Sequence, residues 1–136
     1  METDDAGVPF AATIHESLGI HTVEATPDRV VTEMEVGPKV LQPFGIMHGG
    51  ASAVLAESAA SLGAYLSADP PRMHALGIEL SVSHLKALTS GKVRAVATPL
   101  RRGRTIQVWT IALADQDGNA VAAARCTLAI RPARDA

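Results

Sequence analysis

The sequence predicts an α+β fold in which one long helix is covered by an antiparallel sheet of about six strands. Residues 48–66 have high helix propensity and contain no proline, and this run is long enough for about five helical turns. The chain on both sides alternates apolar and polar residues, which is the pattern of half-buried strands. Strands and helices do not alternate with one another, so the pattern does not favour a parallel, nucleotide-binding sheet.

Turn residues divide the rest of the chain into short elements. A flexible segment at 1–9 and a short helix within 10–18 come before a hairpin whose turn is Pro27-Asp28. The strands expected after the long helix, as an antiparallel meander, cover residues 76–82, 92–98, 105–114 and 120–130. The residues of the first of these strands that are expected to face the core are Leu76, Ile78, Leu80 and Val82.

The predicted helix carries only two side chains that can be charged near neutral pH, His48 and Glu57. Its larger and smaller residues fall on two faces: Val54, Leu55, Leu62 and Leu66 on one, and Gly50, Ala53, Ala60 and Ala64 around Glu57 and Ser61 on the other. Because neither face is polar, we expect the helix to lie inside the fold and Glu57 to be at least partly removed from water. Such an acid is either satisfied by structural hydrogen bonds or placed there for chemistry.

Composition limits the classes of protein that the chain can represent. At 136 residues and 47% hydrophobic, it suits a single domain covering residues 1–136, and the net charge of -2 gives no electrostatic basis for binding nucleic acid. One acid and four serines between residues 49 and 68 argue against a membrane-spanning helix. The lone Cys126 excludes an internal disulfide and is expected in the core. The N-terminal residues lack a signal-peptide pattern, so we expect a cytoplasmic protein, and no metal-ligand cluster appears.

A motif at the start of the long helix resembles that of the hotdog-fold acyl-CoA thioesterases. The residues Q-P-F-G-x-x-H-G-G-A-S-x-x-L-A-E-S run from Gln42 to Ser58, and the resemblance extends over residues 20–130. Further matches lie at Gly77-Ile78-Glu79, at residues 83–86 and at residues 103–109. The resemblance implies a hotdog fold, with a curved antiparallel sheet of about five or six strands around the helix.

The residue at position 57 favours one branch of this family. The branch typified by phenylacetate-pathway thioesterases has an aspartate on the helix, whereas this chain has Glu57. Glutamate is typical of the branch that hydrolyses aryl-CoA thioesters such as 4-hydroxybenzoyl-CoA and 1,4-dihydroxy-2-naphthoyl-CoA. That branch includes the proofreading thioesterase of catecholate siderophore synthesis. The resemblance therefore implies an acyl-CoA thioesterase for an aromatic or other bulky acyl group.

The resemblance also implies roles for the residues of the helix. Glu57 is the nucleophile or the general base, between which the sequence does not choose, and Ser61 is a supporting hydroxyl. Gln42 and His48 lie near the thioester carbonyl, and the helix N-terminus at Gly49 stabilises the oxyanion. Without the motif, a structural role for His48, as a helix cap or a core histidine, is as well supported as a role at the thioester.

Substrate binding is implied for two further segments. The residues that match CoA-binding positions are His84, Lys86, Arg102, Gly103, Arg104 and Thr105. On their own, the arginines of this group fit a solvated loop equally well. Phe44 and Met47 are candidates for the acyl pocket, although core packing explains them equally well. CoA is part of the substrate, and no cofactor is expected.

Two other functions fit the same fold, namely a hotdog hydratase or dehydratase and a non-catalytic acyl-CoA-binding protein. Hotdog hydratases and dehydratases usually present a histidine-aspartate arrangement, whereas the helix acid of this chain, Glu57, lies in a thioesterase-like motif. The presence of Gln42, His48 and Glu57 counts against a non-catalytic binding protein. The remaining histidines with no motif around them are interpreted as surface or packing residues: His15, His21 and His74.

Helix geometry leads to a prediction about assembly. Nine residues separate His48 from Glu57, which is roughly 13 Å along a helix, too far for both to act on one carbonyl. We therefore expect a homodimer as the minimal active unit, with two antiparallel helices crossing near Ala53. The resemblance further implies that such dimers pair into a homotetramer.

Overall fold

The computed structural model describes residues 2–134. It contains two α-helices, α1 (Ile14–Leu18) and α2 (Gly49–Ser67), and a short 3₁₀ turn at Pro38–Val40. The strands are β1 (Ile20–Ala25), β2 (Val30–Glu35), β3 (Met73–His84), β4 (Lys92–Arg102), β5 (Ile106–Asp115) and β6 (Ala120–Pro132). They form one antiparallel sheet against which α2 packs, which confirms the predicted α+β class.

The strand order contains a three-stranded antiparallel meander, β4-β5-β6, from which β3 is separate. The sheet runs β1-β2-β4-β5-β6-β3, so β2 pairs with β4, and β3 pairs with β6 at the far edge. This happens because α2 carries the chain across the sheet before β3 begins. Apolar alternation specifies which face of a strand is buried but not which strand lies next to it. Within residues 2–134, the outer edge of β3 has no strand partner.

The face of α2 that packs on the sheet was predicted incorrectly. Its buried residues are mostly small: Ala51, Ser52, Leu55, Ala56, Ala59, Ala60, Gly63 and Ala64. Val54, Leu62 and Leu66 are only partly buried. Small residues let the helix approach the sheet closely, and a Cβ on Gly63 would lie 2.4 Å from the ring of the fully buried Trp109. The largest core side chain therefore occupies the space that Gly63 leaves open.

Strand β3 is more exposed than its apolar alternation predicts. Leu76 and Ile78 are 55% and 59% exposed, whereas Leu80 and Val82 are partly buried as expected. A bulge between Gly77 and Glu79 shifts the register against β6 and interrupts the alternation. The consequence is an edge strand that carries large apolar side chains on its surface.

The first described residues form hydrogen bonds, and the flexibility expected for this segment stays a prediction. The Asp4 carboxylate accepts the backbone N–H groups of Ala6, Val8 and Thr22, and the last of these bonds ties it to β1. Cys126 is fully buried, which confirms its predicted place in the core. Of the helices between residues 2 and 134, none is both long enough and apolar enough to span a lipid bilayer.

Candidate active site

The N-terminus of α2 is capped by His48. Its Nδ1 accepts the backbone N–H of Gly50 at 2.7 Å, while the ring itself is exposed. This bond satisfies one of the free N–H groups at the start of the helix. Among the described residues no acceptor is found for the N–H of Gly49, so this group is available to a ligand at the positive end of the helix dipole.

A cleft of about 320 Å³ opens beside this helix N-terminus, and we call it the N-terminal cleft. Its lining includes Gln42, Met47, Gly49, His84 and Lys86. The His84 ring lies directly over Gly49, where a Cβ would be 2.8 Å from Nε2. His84 Nδ1 lies 3.4 Å from the Ser52 hydroxyl, which donates to the Gly49 carbonyl. Glycine is therefore required at position 49 for the ring to take this place.

The two candidates for the acyl pocket lie in very different surroundings. Phe44 is 90% exposed at the tip of a turn closed by the bond from Gly45 N–H to the Gln42 carbonyl, and it is not among the residues that line the N-terminal cleft. Met47 is buried in the core and also borders the N-terminal cleft. The Gln42 side-chain oxygen accepts the Phe44 N–H, which orients the glutamine amide at the mouth of this cleft.

Glu57 is exposed, in contrast to the burial that the sequence predicts. The residues of α2 that face the sheet lie on the other side of the helix, so the carboxylate points away from the core. Among the described residues it has no hydrogen bond and no ion pair. One carboxylate oxygen lies against β3, because a Cβ on Gly77 would be only 3.0 Å from it. The acid is thus positioned by the backbone of β3 and is open to a ligand.

A second cleft contains Glu57, and we call it the Glu57 cleft. Its lining residues are Ile14, His15, Ala53, Val54, Glu57, Ser58, Ser61 and Leu80. The predicted pair of Glu57 and Ser61 is therefore brought together, one turn apart on α2. The walls contributed by the other elements are largely apolar.

Sequence reasoning missed His15, which lies in this cleft. Its Nε2 is 3.1 Å from the hydroxyl of Ser58 on α2. Burial lowers the pKa of His15 below its usual value and outweighs the opposing effect of Asp4. No pattern in the sequence connects residues 10–18 with α2, so only the three-dimensional fold reveals this contact.

The predicted catalytic residues thus fall into two separate groups. Gln42 and Gly49 border the N-terminal cleft, and Glu57 and Ser61 border the Glu57 cleft. Gly49 and Glu57 are eight positions apart on α2, which is roughly 12 Å along the helix axis. One thioester carbonyl does not reach both groups within a single chain.

Two of the predicted CoA-binding cations are engaged in ion pairs. Lys86 Nζ lies 2.5 Å from a carboxylate oxygen of Asp115, and Arg102 lies 2.5 Å from one of Asp28. The Arg102 guanidinium also lies over the ring of Trp109, 6.0 Å from its centroid. These side chains have structural partners that the sequence did not indicate.

The turn between β4 and β5 contains Gly103, Arg104 and Thr105, which match CoA-binding positions of the family. The N–H of Gly103 donates to the Ile106 carbonyl at 2.9 Å, so it closes the turn and is not free for a phosphate. A Cβ on Gly103 would lie 2.7 Å from the same oxygen, which explains why glycine is needed there. Arg104 and Thr105 are exposed, and within residues 2–134 no ion-pair partner is found for Arg104. Over the same residues, no three histidine, cysteine, aspartate or glutamate side chains come together as a metal site requires.

Comparison with known proteins identifies the family. The sequence profile of the Thioesterase superfamily matches residues 44–122. These residues include α2, which borders both clefts. The chain is 43% identical over 118 residues to ComA2 of Bacillus subtilis (strain 168), an esterase by provisional name, covering 87% of this chain and 94% of the relative. It is 39% identical to the 1,4-dihydroxy-2-naphthoyl-CoA hydrolase of Listeria monocytogenes serotype 1/2a (strain 10403S), covering 89% and 98%.

A solved structure agrees with these relatives. The crystal structure of a thioesterase from Haemophilus influenzae superposes with a TM-score of 0.86 at 34% identity, covering 90% of this chain and 85% of that one. The fold and the sequence thus define a hydrolase of the thioesterase class with the hotdog fold. The chain belongs to the Thioesterase superfamily and is a thioesterase.

Proposed function

We propose that the protein hydrolyses acyl-CoA thioesters with an aromatic or similarly bulky acyl group, releasing the free acid and CoA. The relative from Listeria monocytogenes is named for such an aromatic CoA thioester, at 39% identity. The Glu57 cleft supports an acyl group of this kind, because Ile14, Val54 and Leu80 give it apolar walls.

In this proposal Glu57 acts as the nucleophile or as the general base that activates water. The observation that carries it is the position of this carboxylate, the one acid on α2, which borders a cleft and has no hydrogen-bond or ion-pair partner among residues 2–134. An acid engaged in a structural network would have such partners. The hydroxyl of Ser61 lies in the same cleft, where it can hold a water molecule next to the carboxylate.

The carbonyl oxygen of the thioester requires donors, and the N-terminal cleft offers them. The N–H of Gly49 has no acceptor among the described residues and lies at the positive end of α2. The Gln42 amide borders the same cleft and carries two further N–H donors. We assign the oxyanion to Gly49 and Gln42, and we assign to His48 the maintenance of the helix N-terminus through its bond to Gly50.

The distance between the two clefts leads us to propose a homodimer in which each site uses both chains. Strand β3 supports this arrangement, because its outer edge has no strand partner and it carries exposed Leu76 and Ile78. A second copy pairing along this edge covers both side chains and brings a second α2 beside the first. Pairing of dimers into a homotetramer and a cytoplasmic location remain predictions.

We propose that CoA spans the two chains of the homodimer, with its thiol end at the N-terminal cleft of one chain and its phosphates near the turn between β4 and β5 of the other. Within one chain the cleft and this turn lie at opposite ends of β5, since Lys86 of the cleft contacts Asp115 whereas the turn precedes Ile106. Arg104 is the phosphate-binding residue of this turn, since Arg102 is engaged with Asp28. His84 borders the N-terminal cleft and is placed to contact the thiol end of CoA rather than its phosphates. Lys86 has a structural partner in Asp115 and contributes less.

Substitution of Glu57 tests the assigned chemistry. Glu57→Gln keeps the shape of the side chain but removes the charge, and we expect kcat for benzoyl-CoA to fall by about 100-fold or more, because the base or nucleophile is lost. CoA release is followed with a thiol reagent. Glu35→Gln serves as the matched control, since Glu35 is exposed on β2 away from both clefts. Turnover by Glu57→Gln close to that of the control would reject the assignment.

A further inference from the structure

One wall of the Glu57 cleft is formed by α1, whose His15 has no role in the proposed chemistry. This helix has five residues, none of them buried, so apolar packing holds it only weakly. A capping box stabilises its first turn: the Thr13 hydroxyl accepts the His15 N–H, and the Glu16 carboxylate accepts the Ala12 N–H. These bonds keep α1 helical, but they do not fix its position relative to α2.

Leu18 packs the C-terminal end of α1 against the core, whereas the N-terminal half of α1 is joined to α2 by a hydrogen bond. Among residues 2–134, the contact between His15 Nε2 and Ser58 Oγ, at 3.1 Å, is the one hydrogen bond that joins α1 to α2. Ser58 follows Glu57 directly in the chain and lines the same cleft. The bond therefore connects a wall of the cleft with the helix segment that carries the carboxylate.

The chemistry of His15 agrees with a role for this bond. Its Nδ1 is buried and has no hydrogen-bond partner, so the imidazole carries a desolvation cost that an apolar side chain would avoid. The imidazole gains its hydrogen bond through Nε2 alone. Burial favours the neutral ring by lowering the pKa of His15, and the neutral ring can donate to or accept from the serine hydroxyl.

We propose that His15 is a positioning residue that sets acyl selectivity, because its bond to Ser58 fixes α1 as a wall of the acyl-binding cleft. The inference rests on the proposed function, since it places the acyl group beside Glu57. A flat and rigid acyl group gains more from a preformed wall than a flexible alkyl chain does, because the alkyl chain adapts its own conformation. Loss of the bond is thus expected to penalise aryl substrates selectively.

Two amide substitutions of His15 distinguish the effect of losing the hydrogen bond to Ser58 from the effect of a smaller side chain. The glutamine amide reaches the place of Nε2, which bonds Ser58, whereas the asparagine amide reaches only the place of Nδ1, which has no partner. We expect His15→Asn to lower the ratio of kcat/KM for benzoyl-CoA to that for hexanoyl-CoA by about 5-fold. We expect His15→Gln to keep this ratio within about twofold of the wild-type value.

Ser58→Ala breaks the same bond from the other side and should lower the ratio to the same extent. The double variant His15→Asn/Ser58→Ala should lower it no further, because both changes remove one interaction. His21→Ala and Ser17→Ala are the matched controls, since neither side chain lines the Glu57 cleft. Thermal unfolding of each variant confirms that the chains compared are folded.

The outcomes separate this inference from the proposed function. An unchanged ratio in His15→Asn and Ser58→Ala, or an equal loss of kcat/KM for both substrates, overturns the role of His15. Equal shifts in His15→Gln and His15→Asn overturn the assignment to the Nε2 bond. If Glu57→Gln is inactive while the ratio of kcat/KM for benzoyl-CoA to that for hexanoyl-CoA does not change in the His15 and Ser58 variants, the proposed function stands and the role of His15 is wrong. If Glu57→Gln is active, the proposed function itself is rejected.

Discussion

At the scale of single residues, the position of the Glu57 carboxylate depends on a glycine of another element. Gly77 brings the backbone of β3 so close that a Cβ there would lie 3.0 Å from Oε1 and 3.1 Å from the carboxyl carbon. Contacts this short oblige the neighbour to move. The end of the exposed glutamate side chain can do so without disturbing the core.

Substitution of this glycine therefore tests whether the position of the carboxylate matters. We expect Gly77→Ala to lower kcat by about 10-fold, because the carboxylate has to give way and even a small misplacement of a catalytic group is costly. The midpoint of thermal unfolding should change little, since the clash is with the mobile end of a surface side chain. Gly37→Ala is the control, because nothing lies within 4 Å of a Cβ at that position. A kcat for Gly77→Ala equal to that of Gly37→Ala would contradict the prediction.

The family motif predicted which residues share the candidate site, whereas the helical pattern did not predict which face of α2 is buried. Glu57 and Ser61 share a cleft as expected, but the expected burial of Glu57 was wrong. Hydrophobic periodicity did not identify the buried face, because alanine and glycine pack a helix against a sheet as effectively as leucine when a large partner such as Trp109 fills the space. His15 escaped notice because its contact with α2 bridges 43 residues of the chain.

At the scale of elements, the turn between β5 and β6 is organised by Asp115. Its carboxylate accepts a bond from Lys86 at 2.5 Å, and it also accepts the backbone N–H groups of Asp117 and Asn119. These bonds, with that from Lys86 as the largest contribution, lower the pKa of Asp115 to about 2. The turn is thereby tied to the segment that follows β3, which borders the N-terminal cleft.

The lowered pKa leads to a prediction for stability against pH. Since the folded pKa is below the usual value of 3.8, the stabilisation is complete above about pH 4 and is lost as the pH falls towards 2. We expect Asp115→Asn to lower the urea midpoint at about pH 7 and to approach the wild-type midpoint at about pH 2. Lys86→Met should behave in the same way. Asp117→Asn is the control. If the urea midpoints of wild type and Asp115→Asn differ by the same amount at every pH in this range, the ionised Asp115 carboxylate does not stabilise the fold as argued.

The turn between β4 and β5 allows a test of phosphate binding. We expect Arg104→Ala to raise KM for acyl-CoA by about 5-fold at low salt with little change in kcat, because a charge contact that is equal in ground and transition states affects binding alone. The effect should shrink at high salt and vanish with an acyl-pantetheine substrate, which lacks the nucleotide phosphates. Arg125→Ala on β6 controls for the loss of surface charge. An unchanged KM at low salt would remove Arg104 from the CoA site.

The strand order illustrates what a single sequence leaves open at this scale. The chain segments of all six strands follow from alternation and turn residues, but the place of β3 in the sheet depends on its register with β6, from Met73 opposite Pro132 to His84 opposite Ala122. Neither partner carries a residue pattern that excludes other neighbours. The predicted meander is present for β4, β5 and β6 but does not include β3, whose Leu76 and Ile78 are exposed and were expected in the core.

At the scale of the whole molecule, the free edge of β3 and the separation of the two clefts point to the same assembly. A site that contains both Glu57 and Gly49 requires two copies of α2, and roughly 12 Å along one helix is too great a distance for one carbonyl. Two copies related by a twofold axis bring each Glu57 to the other chain's Gly49 when their helices run antiparallel. Each dimer then contains two identical sites.

Mixing two inactive variants tests this arrangement. One chain carries Glu57→Ala and keeps its helix N-terminus, while the other keeps Glu57 and carries Gln42→Ala. In a mixed dimer, one site combines both defects and the other combines both intact halves. Random exchange of equal amounts therefore restores about a quarter of the wild-type activity, since about half of the dimers are mixed and one of their two sites is complete.

Exchange of chains must be verified independently of activity. Two affinity tags, one on each variant, allow the mixed dimers to be isolated and their activity per site to be measured directly. Each variant alone should stay inactive after the same treatment, because every site of its dimers carries one defect. If the isolated mixed dimers are as inactive as the parent variants, the catalytic groups act within one chain. The model in which Glu57 of one chain and Gly49 of the other form a shared site is then wrong.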